Sequence, residues 1–487
     1  MIRKRLLLLL LAIAFIALSW LQTLDARRGL TIRRFDVDGL PLLYLAPAEA
    51  VNAPGVLIAH GFAGSKQLML GYAFTFAHAG YATLLWDFGG HGANPATLRR
   101  EETLQANVDA AYALLAEQPG VDGARVAVLG HSMGSGAAMA AGLLQPERYQ
   151  AVLALSPTGA EVSPSSPRNL HLQAGSWEGR FVANARDLLA AAGGERADVS
   201  QGLGRSLVII PAAEHISILF RAQSHRAALA WLDAVFGPQR ASAYVDRRIL
   251  WYALHLLGWL LALAAVAPVL RLPATAKPLA GARPWLGLFV GPLAAAAVLA
   301  VWQRLDGDVT QFGGVLVAGA LALWFGVAGL VWLSLQGWQR LRNAPPTGIS
   351  WLLGLGLFAL LWLAFGAMGQ ETWLQWVLIP ARLMRWPWLA LAVFPWFLAA
   401  GLAQQHARPS RRVLWWLVQV LFIIFGLLLA LTLVPGLFIL VLMMPLIPLL
   451  IGILAFADAQ LNQPWAFALG SALFFGWVLA AVFPLAG

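Results

Sequence analysis

Short apolar runs alternate with stretches of helical periodicity over residues 30–236. Six runs have the length and continuous apolar character of buried strands, at residues 56–60, 82–87, 126–130, 151–155, 170–174 and 206–211. Helical patterns lie between most of them, for example at 104–117 and 222–236. This alternation is typical of a parallel sheet flanked by helices. A hairpin over 31–45, turning at Asp38-Gly39, is predicted to precede it. We therefore predict an α/β domain at 30–236.

The pattern changes after a short polar linker at residues 237–248. Apolar runs of membrane-spanning length then follow one another to the end of the chain. They lie at about 249–270, 284–303, 313–335, 351–369, 386–403, 413–434, 436–457 and 465–486. The run at 436–457 could instead form a re-entrant hairpin with its neighbour. Residues 249–487 are predicted to be an all-α polytopic transmembrane domain of about eight helices.

Two further segments bear on the membrane. Residues 1–23 place Arg3, Lys4 and Arg5 before an apolar run, the pattern of a signal peptide or anchor. No clean small-residue cleavage site follows, which favours an uncleaved transmembrane anchor. Residues 371–385 are too short and too polar at their ends to span. They predict an interfacial helix with Trp373, Trp376 and Trp386 at the headgroup level.

Composition agrees with this division of the chain. The sequence is 60% hydrophobic and 11% charged, with a mean hydropathy of +0.70, which excludes a wholly soluble or disordered protein. Only 15 charged residues lie among the last 239. The net charge of +10 therefore indicates membrane topology and not a nucleic-acid partner. Cysteine is absent, so thiol nucleophiles and thiolate metal sites are excluded. No cofactor or metal motif is present.

The loop charges predict an orientation. With the N-terminus inside, eleven basic residues fall in inside segments and three (Arg304, Arg382 and Arg385) in short outside loops. The eleven are Arg3, Lys4, Arg5, Arg271, Lys277, Arg283, Arg340, Arg342, Arg408, Arg411 and Arg412. Four arginines just after the first span oppose this bias, but they belong to a long translocated domain. We expect an integral protein of the bacterial inner membrane, with the α/β domain on the periplasmic or extracellular side.

The central chemical motif is Gly130-His131-Ser132-Met133-Gly134. It follows a predicted strand and precedes a helix of small residues at 135–144. This is the strand–turn–helix context that a G-x-S-x-G nucleophile elbow requires, in which the glycines permit a sharp turn. Ser132 is therefore the candidate nucleophile.

A serine nucleophile needs a base and an acid that orients the base. His215 lies in a loop between the last predicted strand and a helix, where the base of such an elbow belongs. Glu178 follows the preceding strand and is the candidate acid, with Glu161 and Asp198 as alternatives. Three other histidines are poorer candidates, because His225 falls inside a predicted helix, His171 lies within a predicted strand and His131 adjoins Ser132 in the chain.

Acyl transfer also needs donors for an oxyanion. The backbone N–H groups of Met133 and Phe62 are the candidates, the latter in the turn His60-Gly61-Phe62-Ala63-Gly64 after a strand. His60 is predicted to support that turn and not to act as a base.

These motifs, with the loop Asp87-Phe88-Gly89-Gly90-His91-Gly92, resemble the α/β-hydrolase superfamily near its monoglyceride-lipase and serine-aminopeptidase-like branch. The resemblance covers a little over 40% of the chain and implies an α/β-hydrolase domain. Two features of this sequence differ from many members of the superfamily. Only residues 156–168 separate two neighbouring strands, which leaves no room for a helical cap, and Glu replaces the commoner Asp. The membrane domain resembles no family that we recognise.

The sequence thus predicts a membrane-bound serine hydrolase that acts through an acyl-enzyme on a carboxylic ester or lipid-like acyl compound. An acyltransferase with a membrane-held acceptor, a serine peptidase or a thioesterase would use the same residues. A transporter or interaction protein with a degenerate hydrolase domain is a further alternative. Its membrane half would need ionisable residues within spans, and few are present.

Overall fold

The computed structural model describes residues 2–98, 100–270, 281–305, 307–337, 341 and 345–487. The chain divides into two compact units. The α/β unit comprises Leu18–Ala253, Gly369–Val377 and Gly487. The helical unit comprises Met1–Ala17, Leu254–Met368 and Leu378–Ala486.

An eight-stranded sheet forms the centre of the α/β unit, in the order β1-β2-β4-β3-β5-β6-β7-β8. The strands are β1 (Leu30–Val37), β2 (Leu40–Pro47), β3 (Ala53–Ala59), β4 (Ala82–Trp86), β5 (Val121–His131), β6 (Ala151–Leu155), β7 (Leu170–Gly175) and β8 (Arg205–Ile210). β1 pairs antiparallel with β2, and β2 antiparallel with β4. All pairs from β4 to β8 are parallel. The carboxyl ends of these strands therefore share one edge.

Helices cover both faces of the sheet. After the N-terminal helix α1 (Ile2–Asp25) they are α2 (Leu70–His78), α3 (Arg100–Ala116), α4 (Met133–Leu144), α5 (Gly179–Ala191) and α6 (Ala222–Phe236). Side chains of α3, α4 and α5 join one apolar cluster, and side chains of α2 and α6 join another. Successive residues of β3 alternate between the clusters, since Leu57 lies in the first and Val56 and Ile58 in the second. Burial on both faces explains the continuous apolar runs.

The predicted fold class is confirmed. All six predicted parallel strands are present, and the hairpin turns at Asp38-Gly39, where both residues have positive φ. Residues 156–169 between β6 and β7 contain no helix. The largest difference is β5, which begins at Val121, because its first residues extend beyond the apolar run and are only half-buried or exposed.

In the described part of the chain, nine helical segments are long and apolar enough to cross a membrane. They are Ile2–Asp25, Arg248–Leu270, Arg283–Arg304, Ala318–Gln336, Gly348–Thr372, Pro380–Gln404, Pro409–Leu433, Pro435–Leu461 and Pro464–Val482. These are the features of an integral membrane protein, and the nine segments overlap the nine apolar runs of the sequence. Four residues used for the topology prediction, Arg271, Lys277, Arg340 and Arg342, lie outside the described residues.

The interfacial helix predicted at 371–385 is wrong. A helix ends at Thr372, residues 373–379 have no regular structure, and only the short helix Pro380–Leu383 follows. Trp376 is fully buried within the protein and cannot lie among headgroups. The backbone of the segment forms internal hydrogen bonds instead, for example from the Trp376 N–H to Gln370 Oε1 (2.7 Å).

Candidate active site

Ser132 sits at the turn between β5 and α4. Its backbone has φ 53° and ψ −119°, a left-handed conformation that non-glycine residues rarely adopt outside strained functional turns. The flanking glycines make this turn possible. A Cβ on Gly130 would lie 2.0 Å from the Gly134 carbonyl oxygen, and one on Gly134 would lie 2.5 Å from the His60 carbonyl oxygen. The turn therefore has the steric features of a nucleophile elbow.

His215 and Glu178 meet at the same edge of the sheet. His215 follows β8 and Glu178 follows β7, and the distance between His215 Nδ1 and Glu178 Oε2 is 2.8 Å. The two side chains are only 5% and 2% exposed. The Phe181 ring stacks on the imidazole, with 4.4 Å between ring centroids. Both groups are thus held in a largely water-excluded site.

The second oxygen of Glu178 is also fixed. Glu178 Oε1 accepts hydrogen bonds from Ser156 Oγ (2.9 Å) and from the Gly175 N–H (2.7 Å). A carboxylate can only accept, so His215 Nδ1 carries the proton that it donates to Oε2. In the neutral imidazole, Nε2 is then the unprotonated nitrogen, as a general base requires.

His131 links the elbow to the His215 loop. His131 Nε2 donates to the His215 carbonyl oxygen (3.0 Å), and the two rings lie 4.7 Å apart. Burial, and then the neighbouring His215, hold the pKa of His131 well below its usual value. His131 is therefore neutral and serves as a structural donor. Because His131 directly precedes Ser132, this hydrogen bond connects the elbow to the loop that carries His215.

The turn after β3 approaches the elbow from the other side. A Cβ built on Gly61 would lie 3.1 Å from Ser132 Cβ. His60 holds this turn, because its Nδ1 donates to the Gly61 carbonyl oxygen (2.7 Å) and its Nε2 accepts from the Phe88 N–H (3.0 Å). Burial lowers the pKa of His60, although Asp87 opposes the shift. The neutral, fully bonded ring supports the turn, as the sequence predicted.

A buried ion pair fixes the base of the same turn. Lys66 Nζ pairs with Asp87 Oδ2, and the Lys66 N–H donates to Asp87 Oδ1 (2.7 Å). The Ala93 N–H donates to the same carboxylate (2.8 Å). Burial raises the pKa of Asp87, but Lys66, His60 and these hydrogen bonds outweigh it and hold the pKa below its usual value. The pair joins the turn after β3 to the loop after β4.

The alternative residues lie elsewhere. Glu161 and Asp198 are exposed, and the Asp198 carboxylate accepts a hydrogen bond from Ser200 Oγ (3.3 Å). His225 bonds the Leu219 carbonyl oxygen (2.8 Å) inside α6, and His171 lies within β7. Among the described residues, no cluster of three His, Asp or Glu side chains could hold a metal ion.

Residues 52–230 match the model of the family described as serine aminopeptidase, S33. Together with the sheet topology, this match assigns the α/β unit. The unit has the α/β-hydrolase fold. The chain is 32% identical over 136 residues to two uncharacterized proteins of Mycobacterium tuberculosis, from strains CDC 1551 and H37Rv. Each match covers 28% of this chain and 47% of the relative, so this chain spans about half the length of those relatives.

Several solved structures are similar to part of the chain at low sequence identity. A hypothetical protein from Pseudomonas aeruginosa is 15% identical, covering 42% of this chain and 94% of its own, with a TM-score of 0.36. Esterase Est22 is 17% identical, and the match covers 43% of this chain and 82% of the esterase, with a TM-score of 0.35. A bacterial membrane phospholipase A is 18% identical, and the match covers 48% of this chain and 99% of the phospholipase, with a TM-score of 0.31. At these values the likenesses carry no information on the substrate of this chain.

Two parts of the hydrolase site were not predicted from the sequence. Ser156, which fixes Glu178, directly follows β6, and a polar residue at the carboxyl end of a strand is the signal that could have found it. Lys66 gave no such signal, because one lysine after a glycine-rich turn is ordinary surface composition. Its burial follows from the approach of Asp87, which is distant in the sequence.

Proposed function

We propose that the protein is a membrane-bound serine hydrolase that cleaves carboxylic esters, including lipid-like ones, with Ser132, His215 and Glu178 as its catalytic triad. Two observations carry the proposal: the buried His215–Glu178 pair, and the elbow conformation of Ser132, whose neighbour His131 bonds the His215 backbone. Each of the three residues follows a different strand of one parallel sheet, so the carboxyl edge of the sheet brings them together.

The geometry supports an acyl-enzyme mechanism. His215 Nε2 accepts the Ser132 hydroxyl proton while Oγ attacks the ester carbonyl carbon, and the carbonyl oxygen becomes an oxyanion. The N–H groups of Met133 and Phe62 would donate to that oxyanion. The imidazolium then gives its proton to the leaving alcohol oxygen as the carbon–oxygen bond breaks. Water, activated by the same histidine, attacks the acyl-enzyme and releases the carboxylic acid and free serine.

Charge around the site favours a neutral acyl substrate over one with a free amino group. Binding of an ammonium group needs a carboxylate at hand. Glu178 and Asp87 are occupied as described above, and Glu214 accepts from the Ile216 N–H (2.9 Å) and the Ser217 N–H (2.6 Å). The indole of Trp177, next to Glu178, is 71% exposed and offers an apolar surface for an acyl chain.

The proposal includes the periplasmic or extracellular side of a bacterial inner membrane for the hydrolase domain. The excess of basic residues in the segments placed inside supports this orientation.

The test is activity-based labelling of full-length protein in membranes with a fluorophosphonate probe, which modifies activated serines. Wild type should be labelled, whereas Ser132→Ala should lose both labelling and hydrolysis of p-nitrophenyl esters, by about 10⁴-fold or more, at unchanged expression. Labelling that persists in Ser132→Ala would refute the nucleophile assignment. Faster cleavage of aminoacyl amides than of esters would favour a peptidase. Acyl transfer to an added acceptor without net hydrolysis would favour an acyltransferase.

A further inference from the structure

Residues Gly369–Val377, here called the inserted segment, belong to the α/β unit although they lie far from it in sequence. The candidate span Gly348–Thr372 runs into the segment, and the span Pro380–Gln404 begins just after it. Three of its side chains, those of Thr372, Leu374 and Trp376, are less than 5% exposed. The segment is therefore packed into the hydrolase domain and is not a solvent loop.

One end of the segment is held by charge. Glu371 pairs with Arg27 and lies 3.9 Å from Arg34, both of which precede or belong to β1. Arg248 Nη1 donates to the Glu371 carbonyl oxygen (3.3 Å). These contacts tie the segment to residues from both ends of the hydrolase domain.

The segment also has a fixed internal fold. Gln370 Oε1 accepts from the N–H groups of Trp376 (2.7 Å) and Val377 (3.1 Å). Gln370 Nε2 donates to Gln375 Oε1 (3.1 Å), and Gln375 Nε2 donates to the Val377 carbonyl oxygen (3.0 Å). The Gln375 side chain is thus oriented by its own segment, and Oε1 also faces one place outside the segment.

That place is the turn after β3. Gln67 Nε2 donates to Gln375 Oε1 (2.6 Å), and the Gln375 N–H donates to Ser65 Oγ (3.2 Å). Gln375, Gln67 and Ser65 are 9%, 5% and 2% exposed. Buried hydrogen bonds of this kind are costly to break, because each partner left behind lacks water to replace it.

Ser65 and Gln67 flank Lys66, and all three immediately follow the turn that carries Phe62. The turn is therefore fixed at its downstream end by two independent contacts, Lys66 with Asp87 and Gln67 with Gln375. We propose that Gln375 is a positioning residue that holds the Phe62 N–H where the oxyanion forms. This proposal rests on the proposed function, since it assumes an oxyanion at Ser132.

A positioning role predicts a specific kinetic result. Full-length Gln375→Ala, purified in detergent and assayed on a short p-nitrophenyl ester, should lose about 10- to 100-fold in kcat, less than the removal of a whole oxyanion donor. KM should change less than threefold, and the shape of the pH–rate profile should be unchanged, because the His215–Glu178 pair is untouched. Gln67→Ala should give a similar loss. Because both variants break the same Gln67–Gln375 hydrogen bond, the double variant should lose no more than the larger single loss.

Two further variants complete the design. Gln375→Glu keeps an oxygen that can accept from Gln67 but loses the donor to the Val377 carbonyl oxygen, so it should recover only part of the lost kcat. Val377→Ala changes a side chain that is 55% exposed and should keep wild-type kinetics. If Gln375→Ala does not fold, Gln67→Ala and Gln375→Glu provide the same comparison.

Wild-type kcat in Gln375→Ala, or independent losses that multiply in the double variant, would overturn the positioning role. The proposed function would still stand after either of these results, provided that Ser132→Ala is inactive in the same assay. An active Ser132→Ala would instead overturn the proposed function itself.

Discussion

Replacement of Glu178 by glutamine changes one atom of the buried acid and tests its role most directly. In Glu178→Gln, the amide oxygen can still accept from Ser156 Oγ and the Gly175 N–H, which lie 2.9 Å and 2.7 Å from Oε1. The amide NH₂ then occupies the position of Oε2, 2.8 Å from His215 Nδ1. Because the NH₂ group donates, Nδ1 must become the acceptor, and the ring proton moves to Nε2.

A protonated Nε2 cannot take the Ser132 proton, so the expected loss in kcat is about 10⁴-fold, as for the loss of the acid in a serine protease triad. At 1.36 kcal/mol for each tenfold change, this corresponds to roughly 5 kcal/mol of transition-state stabilisation. The loss should be smaller than that of Ser132→Ala. The fold should persist, because only one of three hydrogen bonds to the side chain changes its direction.

The assay is steady-state hydrolysis of p-nitrophenyl butyrate by the full-length protein, with the melting temperature measured alongside. Glu214→Gln is the matched control, since Glu214 adjoins His215 in sequence but accepts from the N–H groups of Ile216 and Ser217. Its kcat should stay within a few-fold of wild type. A Glu178→Gln enzyme within tenfold of wild type would refute the reasoning, and Glu161 and Asp198 would then be tested as the acid.

Three further predictions follow from the same structure. Lys66→Met leaves Asp87 buried without its cation and should lower the unfolding free energy of the domain by about 3–5 kcal/mol, which thermal melting would detect. The pKa of Asp87 is lower in the folded state than in the unfolded state, so the pair stabilises the fold fully above the unfolded pKa of about 4. This stabilisation is lost as the pH falls through the folded-state pKa, and the melting temperature should therefore fall more on acidification for wild type than for Lys66→Met. Equal dependence of the two melting temperatures on pH would contradict the assignment. Gly134→Ala should abolish activity and destabilise the elbow, because the added Cβ would lie 2.5 Å from a backbone oxygen; a soluble, active variant would contradict this. The chain has no cysteine, so Ser165→Cys should react with an impermeant maleimide in cells with a permeabilised outer membrane and Ser410→Cys should not, and the reverse pattern would invert the topology.

The α/β fold could be predicted because its strands are buried on both faces. β3, β4, β6 and β7 are entirely buried, and such strands read as apolar runs whatever their partners are. The elbow was equally local, since Gly130, Ser132 and Gly134 lie within five residues. Chain order then led to His215 and Glu178, because each directly follows a strand of the same parallel sheet.

The remaining features depend on contacts between distant residues. The buried position of Lys66 requires Asp87, 21 residues away, and that of Gln67 requires Gln375, 308 residues away. A polar, tryptophan-rich stretch between two apolar spans has the composition of an interfacial helix. Only the three-dimensional structure shows that its glutamines bond one another and the turn after β3. The local sequence pattern could not distinguish an interfacial helix from a segment buried in the protein, because the same residue types at the same spacing fit both.

The position of the inserted segment changes how the two halves of the sequence relate to catalysis. The stretch between β6 and β7 contains no helix, so this hydrolase lacks a cap at the place where one could be inserted. A segment that joins two candidate membrane spans packs instead on the turn that carries Phe62. If Gln375 fixes that turn, the membrane-spanning sequence contributes to the oxyanion site even for a substrate that never enters the bilayer. Its contribution to kcat on soluble esters would then be separable from any contribution to KM for lipids, since only the latter depends on access from the membrane.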